Sequence, residues 1–159
     1  MSLINLSAST RARILKVNGA ALGVTGVVQV VQEVLSHYAS SGLWGDIFRD
    51  SPFTIGVVEA HAFAALTGFL LVAMARRAPA AGWHGYAALV HLMLGTANLV
   101  FWQTFTEFDK VTIGVVATVL HGLFFVLELA CFVSASRAAS TTTDVGYPDY
   151  ALGRVASAS

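Results

Sequence analysis

The sequence predicts an all-α integral membrane protein, a four-helix transmembrane bundle built as a duplicated helical hairpin. The first observation is composition: of 159 residues, 56% are hydrophobic and 11% charged, and the mean hydropathy is +0.70. A soluble domain carries about 25% charged residues, so this chain lacks the polar surface that water would require. The second is a set of four long apolar runs, at 17–35, 53–75, 83–105 and 111–133. At about 1.5 Å per residue, runs of this length cross a hydrocarbon core of about 30 Å. The third is charge asymmetry. With four crossings, Arg11, Arg13, Lys16, Arg76, Arg77, Arg137 and Arg154 fall on one side, and only Arg49 and Lys110 on the other. That bias places both termini in the cytoplasm, with the protein in a bacterial inner membrane.

The runs differ in quality. Phe53–Ala75 and Val111–Val133 contain few polar residues, whereas 83–105 is interrupted by His84, His91, Asn98 and Gln103. The first run is the weakest, because Gln29, Gln32 and Glu33 crowd its C-terminal end. Its basic start also suits a cleaved signal peptide, but no small-x-small cleavage site follows it. Trp44, Trp83 and Trp102 fall near span ends, as aromatic belts do. The chain then divides into a cytoplasmic N-terminal segment (1–13), a transmembrane domain (14–135) and a cytoplasmic tail (136–159). The tail is rich in Ser, Ala and Thr, a composition that reads as disordered, with Tyr147, Pro148 and Tyr150 as a candidate docking segment.

Two stretches open on the same five letters, Thr54–Val58 and Thr112–Val116, 58 residues apart. "ALGVTGVV" (Ala21–Val28) aligns loosely with "MLGTANLV" (Met93–Val100), 72 residues on. The difference between the offsets matches the long loop Ser36–Pro52. A duplicated hairpin with an insertion in its first copy gives this pattern, and its copies run parallel about an axis along the membrane normal. Gly19 with Gly23, and the ladder Gly56, Ala60, Ala64 and Gly68, supply the small residues that let transmembrane helices approach closely.

Polar groups inside a membrane need a partner or a purpose. The outer half of the bundle is expected to hold Gln29, Glu33, Glu59, His61, Asn98 and His121, with Trp102 on the stripe of His91, Gly95 and Asn98. A deeper layer holds His91 and Glu128. Glu59 and His61 are two residues apart and cannot both face the bundle axis. Imidazoles from two helices can ligate haem, and His61 with His121, or His91 as an alternative, are the candidates. Glu59, His61, His121 and Glu128 form a weaker candidate for a non-haem metal, since no helix has the Glu-x-x-His spacing of bundle di-metal sites. An aromatic-lined pocket for a quinone-like ligand, a proton path through Glu and His residues, or plain interhelical hydrogen bonding are the remaining readings. Phe101, Trp102, Phe105, Phe124 and Phe125 are candidate pocket walls. His37 and His84, at span ends, read as ordinary interfacial residues. Cys131 is the single cysteine, which excludes an internal disulfide and a cysteine-only metal site. There is no Gly-rich phosphate loop, no Ser-His-Asp constellation and no basic nucleic-acid patch.

With its long first external loop and a second helix reading "GVVEAHAFAALTGFLLVAMARR" (Gly56–Arg77), the chain resembles the DoxX-like family of small bacterial membrane proteins over about residues 11–137. The positions that carry the likeness are Glu59, Ala64 and Gly68–Leu71. The resemblance implies a four-helix bundle associated with redox complexes, including quinone-linked sulfur oxidation, and supplies no catalytic residues. The functional expectation is an accessory or ligand-binding subunit of a membrane redox complex, not an enzyme on its own. It would hold a quinone-like molecule or haem among His61, His121, His91, Glu59, Asn98, Glu128 and Trp102, with a protein partner or a second copy beside it. A small solute or proton transporter, and a purely structural subunit, are the alternatives.

Overall fold

The structure is a computed structural model that describes residues 5–77 and 80–143, the last three by backbone alone. Arg154 and the tail segment around Tyr147, Pro148 and Tyr150 lie outside the described residues. Five helices follow one another: α1 (Ala8–Ala39), α2 (Thr54–Ala75), α3 (Ala81–Val100), α4 (Trp102–Glu107) and α5 (Val111–Thr143). No strand occurs among the described residues. Three helices, α1, α2 and α5, are long and apolar enough to cross a membrane. α3 is not among them, because His84, His91 and Asn98 dilute its apolar run.

Each helix boundary has a local cause. Ser7 caps α1 by accepting from the Thr10 amide at 3.1 Å. Ser40, left-handed at φ 49°, ends it by donating its amide to the Leu35 and Ser36 carbonyls. The run 83–105 is divided at Phe101, where α3 stops and α4 begins. α4 then folds onto the first turn of α5, its Phe105 ring lying over Gly114. A Cβ at Gly114 would stand 2.7 Å from that ring, so only glycine permits the approach.

The helices pair as two antiparallel hairpins, α1 against α2 and α3–α4 against α5. The first is closed by small residues. A Cβ at Gly19 would meet the Gly68 carbonyl at 2.7 Å, and one at Gly26 would meet the His61 carbonyl and Ala65 amide at the same distance. The glycine pair expected on the first helix therefore extends to Gly26. Of the ladder expected on the second helix, Gly68 is in the contact and Ala64 is half-buried, whereas a Cβ at Gly56 would meet nothing and Ala60 is exposed. The buried positions on α2 include Ala65, Gly68, Leu71 and Ala75, and Leu15, Leu71, Ala75 and Ala87 form an apolar cluster with Trp83 beside it.

The loop between α1 and α2 is strapped to its own helix end. Ser36 Oγ accepts from the Phe48 amide at 3.1 Å, His37 Nδ1 meets the Phe48 carbonyl at 2.9 Å, and Gln32 and Gln29 accept from Leu43 and Trp44. This accounts for the polar crowding that weakens the first apolar run. Ser36→Ala is expected to speed hydrogen exchange at the Phe48 amide, with a stability loss of about 1 kcal/mol.

The exterior is apolar and the interior polar. Val17, Phe63 and Val126 are 60%, 70% and 61% exposed, while Asn18, Glu33, His84 and Glu128 are fully buried. Water would invert that arrangement, and a hydrocarbon solvent favours it. The chain is a membrane protein. The end bearing the α1–α2 loop and α4 is termed the loop end, and the opposite one the terminal end.

Candidate functional site

One polar side chain of α1 organises the interior. Asn18 lies ten residues into α1 and reaches both helices of the other hairpin. Its Nδ2 donates to Glu128 Oε1 at 2.8 Å, and its Oδ1 accepts from His91 Nε2 at 2.6 Å. At the terminal end the carboxylate continues to His84, whose Nδ1 lies 2.6 Å from Oε2. Toward the middle, His91 Nδ1 lies 2.9 Å from Nδ1 of His121. The result is a hydrogen-bonded chain of five side chains, His84–Glu128–Asn18–His91–His121, drawn from α1, α3 and α5.

The amide sets the direction of this chain. A carbonyl oxygen only accepts, so His91 Nε2 carries the hydrogen it shares with Asn18. For neutral imidazoles, His91 Nδ1 is then an acceptor and His121 Nδ1–H is the donor. This leaves His121 Nε2 as a bare acceptor, and no hydrogen bond reaches it among the described residues. His91 and His121 each lie ten residues from the start of their helices, about 15 Å along, which places the pair near mid-depth.

Beside this pair is a cavity of about 150 Å³ lined by His91, Gly95, Thr96, Thr118, His121 and Phe125, with Leu92, Leu99 and Gly122 completing it. Gly95 makes the room, because a Cβ there would touch the His121 Cβ at 3.4 Å. Phe124 stacks on His91 with the ring centroids 5.2 Å apart and steadies it.

The residues singled out by sequence are distributed unevenly. His91 and His121 line the cavity, and Glu128 joins them through Asn18. His61 belongs to a separate pair in the other hairpin, with its Nδ1 2.5 Å from Glu33 Oε1. That contact is close but off the line of a hydrogen bond, so His61 Nδ1 and both Glu33 oxygens lack an aligned partner. Glu59 is exposed on the outer face of α2, so of the pair two residues apart it is His61 that turns inward. Asn98 is half-buried on α3 with an unpaired Nδ2. Trp102 sits on α4 against Phe105, the ring centroids 5.7 Å apart. Neither lines the cavity. Of the expected aromatic walls, Phe125 lines it and Phe124 backs it.

His84 is a correction. It is fully buried and bonded to Glu128, because the first turn of α3 packs inside the bundle and not at its rim. Asn18 was not singled out by sequence at all. The available signals were the spacing of His84 and His91, seven residues apart on one face, and an amide within an apolar run. No family model, curated protein or solved structure matches the chain.

Proposed function

We propose that the chain is a four-helix transmembrane subunit that binds a single-ring hydroxyaromatic ligand of the hydroquinone class beside His91 and His121. α3 completes the four crossings, with His84 and His91 turned onto the buried chain and Thr96 onto the cavity. The observation that carries the reading is His121, whose Nε2 has no hydrogen-bond partner among the described residues and which lines an open pocket of about 150 Å³. A cavity of that size holds one six-membered ring, and Leu92, Leu99 and Phe125 suit its apolar faces. A ligand hydroxyl donates to Nε2. Glu128, acting through Asn18, fixes the His91 tautomer that leaves His121 Nε2 as the acceptor.

Asn18 also separates this reading from proton conduction. An amide passes hydrogen bonds along but does not exchange its protons as a carboxylate or imidazole does, so the chain is interrupted between His91 and Glu128. Proteoliposomes are therefore expected to hold a pH gradient as long as protein-free vesicles. Haem fits less well, because axial ligands stand on opposite faces of the macrocycle, whereas His91 and His121 are bonded to each other.

The basic residues near the terminal end, Arg11, Arg13, Lys16, Arg76, Arg77 and Arg137, support cytoplasmic termini in a bacterial inner membrane. Glu59, exposed five residues into α2, is a carboxylate with no partner among the described residues. Such a group is costly against lipid, which supports a protein partner or second copy over that face. Membership of the DoxX-like family and a place in a redox complex belong to the same proposal.

The test is binding of a short-chain alkyl hydroquinone to the protein in nanodiscs, followed by calorimetry. His121→Leu, which removes the acceptor at similar volume, is expected to weaken binding about tenfold or more, the equivalent of one buried hydrogen bond. Absence of binding to the unaltered protein, or a Soret band in the purified material, would overturn the reading.

A further inference from the structure

The terminal end of the polar chain holds a second constellation, which shares only Glu128 with the hydroquinone reading. His84, Glu128 and Cys131 each offer a ligand atom, the three atoms lie within 4.8 Å of one another, and all three residues are buried. Glu128 and Cys131 are three apart on α5 and share a face, and His84 comes from the facing turn of α3. A tetrahedral zinc ion holds thiolate at about 2.3 Å and imidazole or carboxylate at about 2.0–2.2 Å. To share one ion, His84 Nδ1 and Glu128 Oε2, now 2.6 Å apart, would open by roughly 1 Å while the Cys131 sulfur draws in.

The ligand atom His84 turns toward the cluster is Nδ1, which already lies 2.6 Å from Glu128 Oε2. A cation taking Nδ1 and Oε2 would replace the hydrogen these two atoms share, leaving the imidazole neutral with its hydrogen on Nε2.

We infer that His84, Cys131 and Glu128 form a binding site for a divalent cation of the zinc class. The donor set matches that class, as borderline-soft Zn²⁺ takes nitrogen, sulfur and carboxylate oxygen together. Charge also matches. Binding displaces the thiol proton of Cys131, and a dication with one thiolate, one carboxylate and a neutral imidazole is neutral overall, the condition a low-dielectric interior favours. Glu128 Oε1 stays free to accept from Asn18, so occupation of this site leaves the rest of the chain in place. The site shares Glu128 with the cavity reading but needs no ligand in the cavity, and its test reads the metal alone.

The test is cobalt(II) titration of the metal-free full chain in detergent, followed by zinc loading. One equivalent of Co²⁺ is expected to give a thiolate-to-cobalt charge-transfer band. Excess Zn²⁺ should bleach it, and Cys131→Ser should abolish it. His84→Ala is expected to weaken cobalt binding at least tenfold. In case the variants fail to fold, zinc K-edge EXAFS of the loaded unaltered protein gives a second readout, with one sulfur scatterer at about 2.3 Å among nitrogen and oxygen ligands. A shell of nitrogen and oxygen alone, a cobalt band that survives Cys131→Ser, or no band in the unaltered protein would each overturn the site.

Discussion

Glu128→Leu is expected to lower the stability of the protein by about 3 kcal/mol in a detergent-micelle unfolding titration, the scale of removing one member of a buried charged network. The side chain is fully buried and accepts at both oxygens, from Asn18 on one side and against His84 on the other. A leucine fills the volume but strands two polar groups, Asn18 across the contact between the hairpins and His84 within the second hairpin. Glu128→Gln discriminates packing from hydrogen bonding. Its single carbonyl oxygen satisfies one neighbour, while its amide turns a donor toward the other, so about half the loss is expected to return. If leucine proves neutral, the chain is ornamental to the fold, and a hydrophobic interior would serve equally well. The same variants should shift the His91 and His121 imidazole resonances, because Asn18 loses the carboxylate that orients it.

That network explains which parts of the molecule were legible in the sequence. Long apolar runs specify helices in a membrane directly, and 53–75 and 111–133 correspond to α2 and α5 at their starts within a residue or two. The interior was less legible, because partner choice is a tertiary matter. Asn18 looks like one polar residue near the start of a helix until α3 and α5 bring His91 and Glu128 to its two ends. His84, three residues from the start of its helix, is indistinguishable by position from an interfacial histidine. The break at Phe101 carries no glycine or proline to announce it, and only the seat of Phe105 on Gly114 shows what the turn packs against. His61 and His121 are similarly placed along α2 and α5, yet the hairpins pair them with different neighbours, Glu33 and His91.

The second large effect is expected at Gly68. Gly68→Val should cost about 3 kcal/mol in the same titration, the upper end of overpacking penalties, and Gly56→Val on the same helix should cost almost nothing. The two glycines look alike in sequence, twelve residues apart in an apparent ladder of small residues. A four-residue step turns about 400° on a helix of 3.6 residues per turn, so three steps carry the ladder about 120° round the axis. Gly56 therefore points away, with nothing near its would-be Cβ, while at Gly68 a Cβ would run into the backbone of Gly19 and Gly23. The collision is between two backbones, so no side chain can rotate aside and α1 must separate from α2. Asn18 precedes Gly19 on α1, so the displacement also pulls on its bonds to Glu128 and His91. A hairpin defect at Gly68 is thus expected to reach the cavity as a change in the His121 imidazole resonance. Gly56→Val should leave that resonance unmoved, and a Gly68→Val protein that loses stability without moving it would show that the two hairpins are not coupled through Asn18.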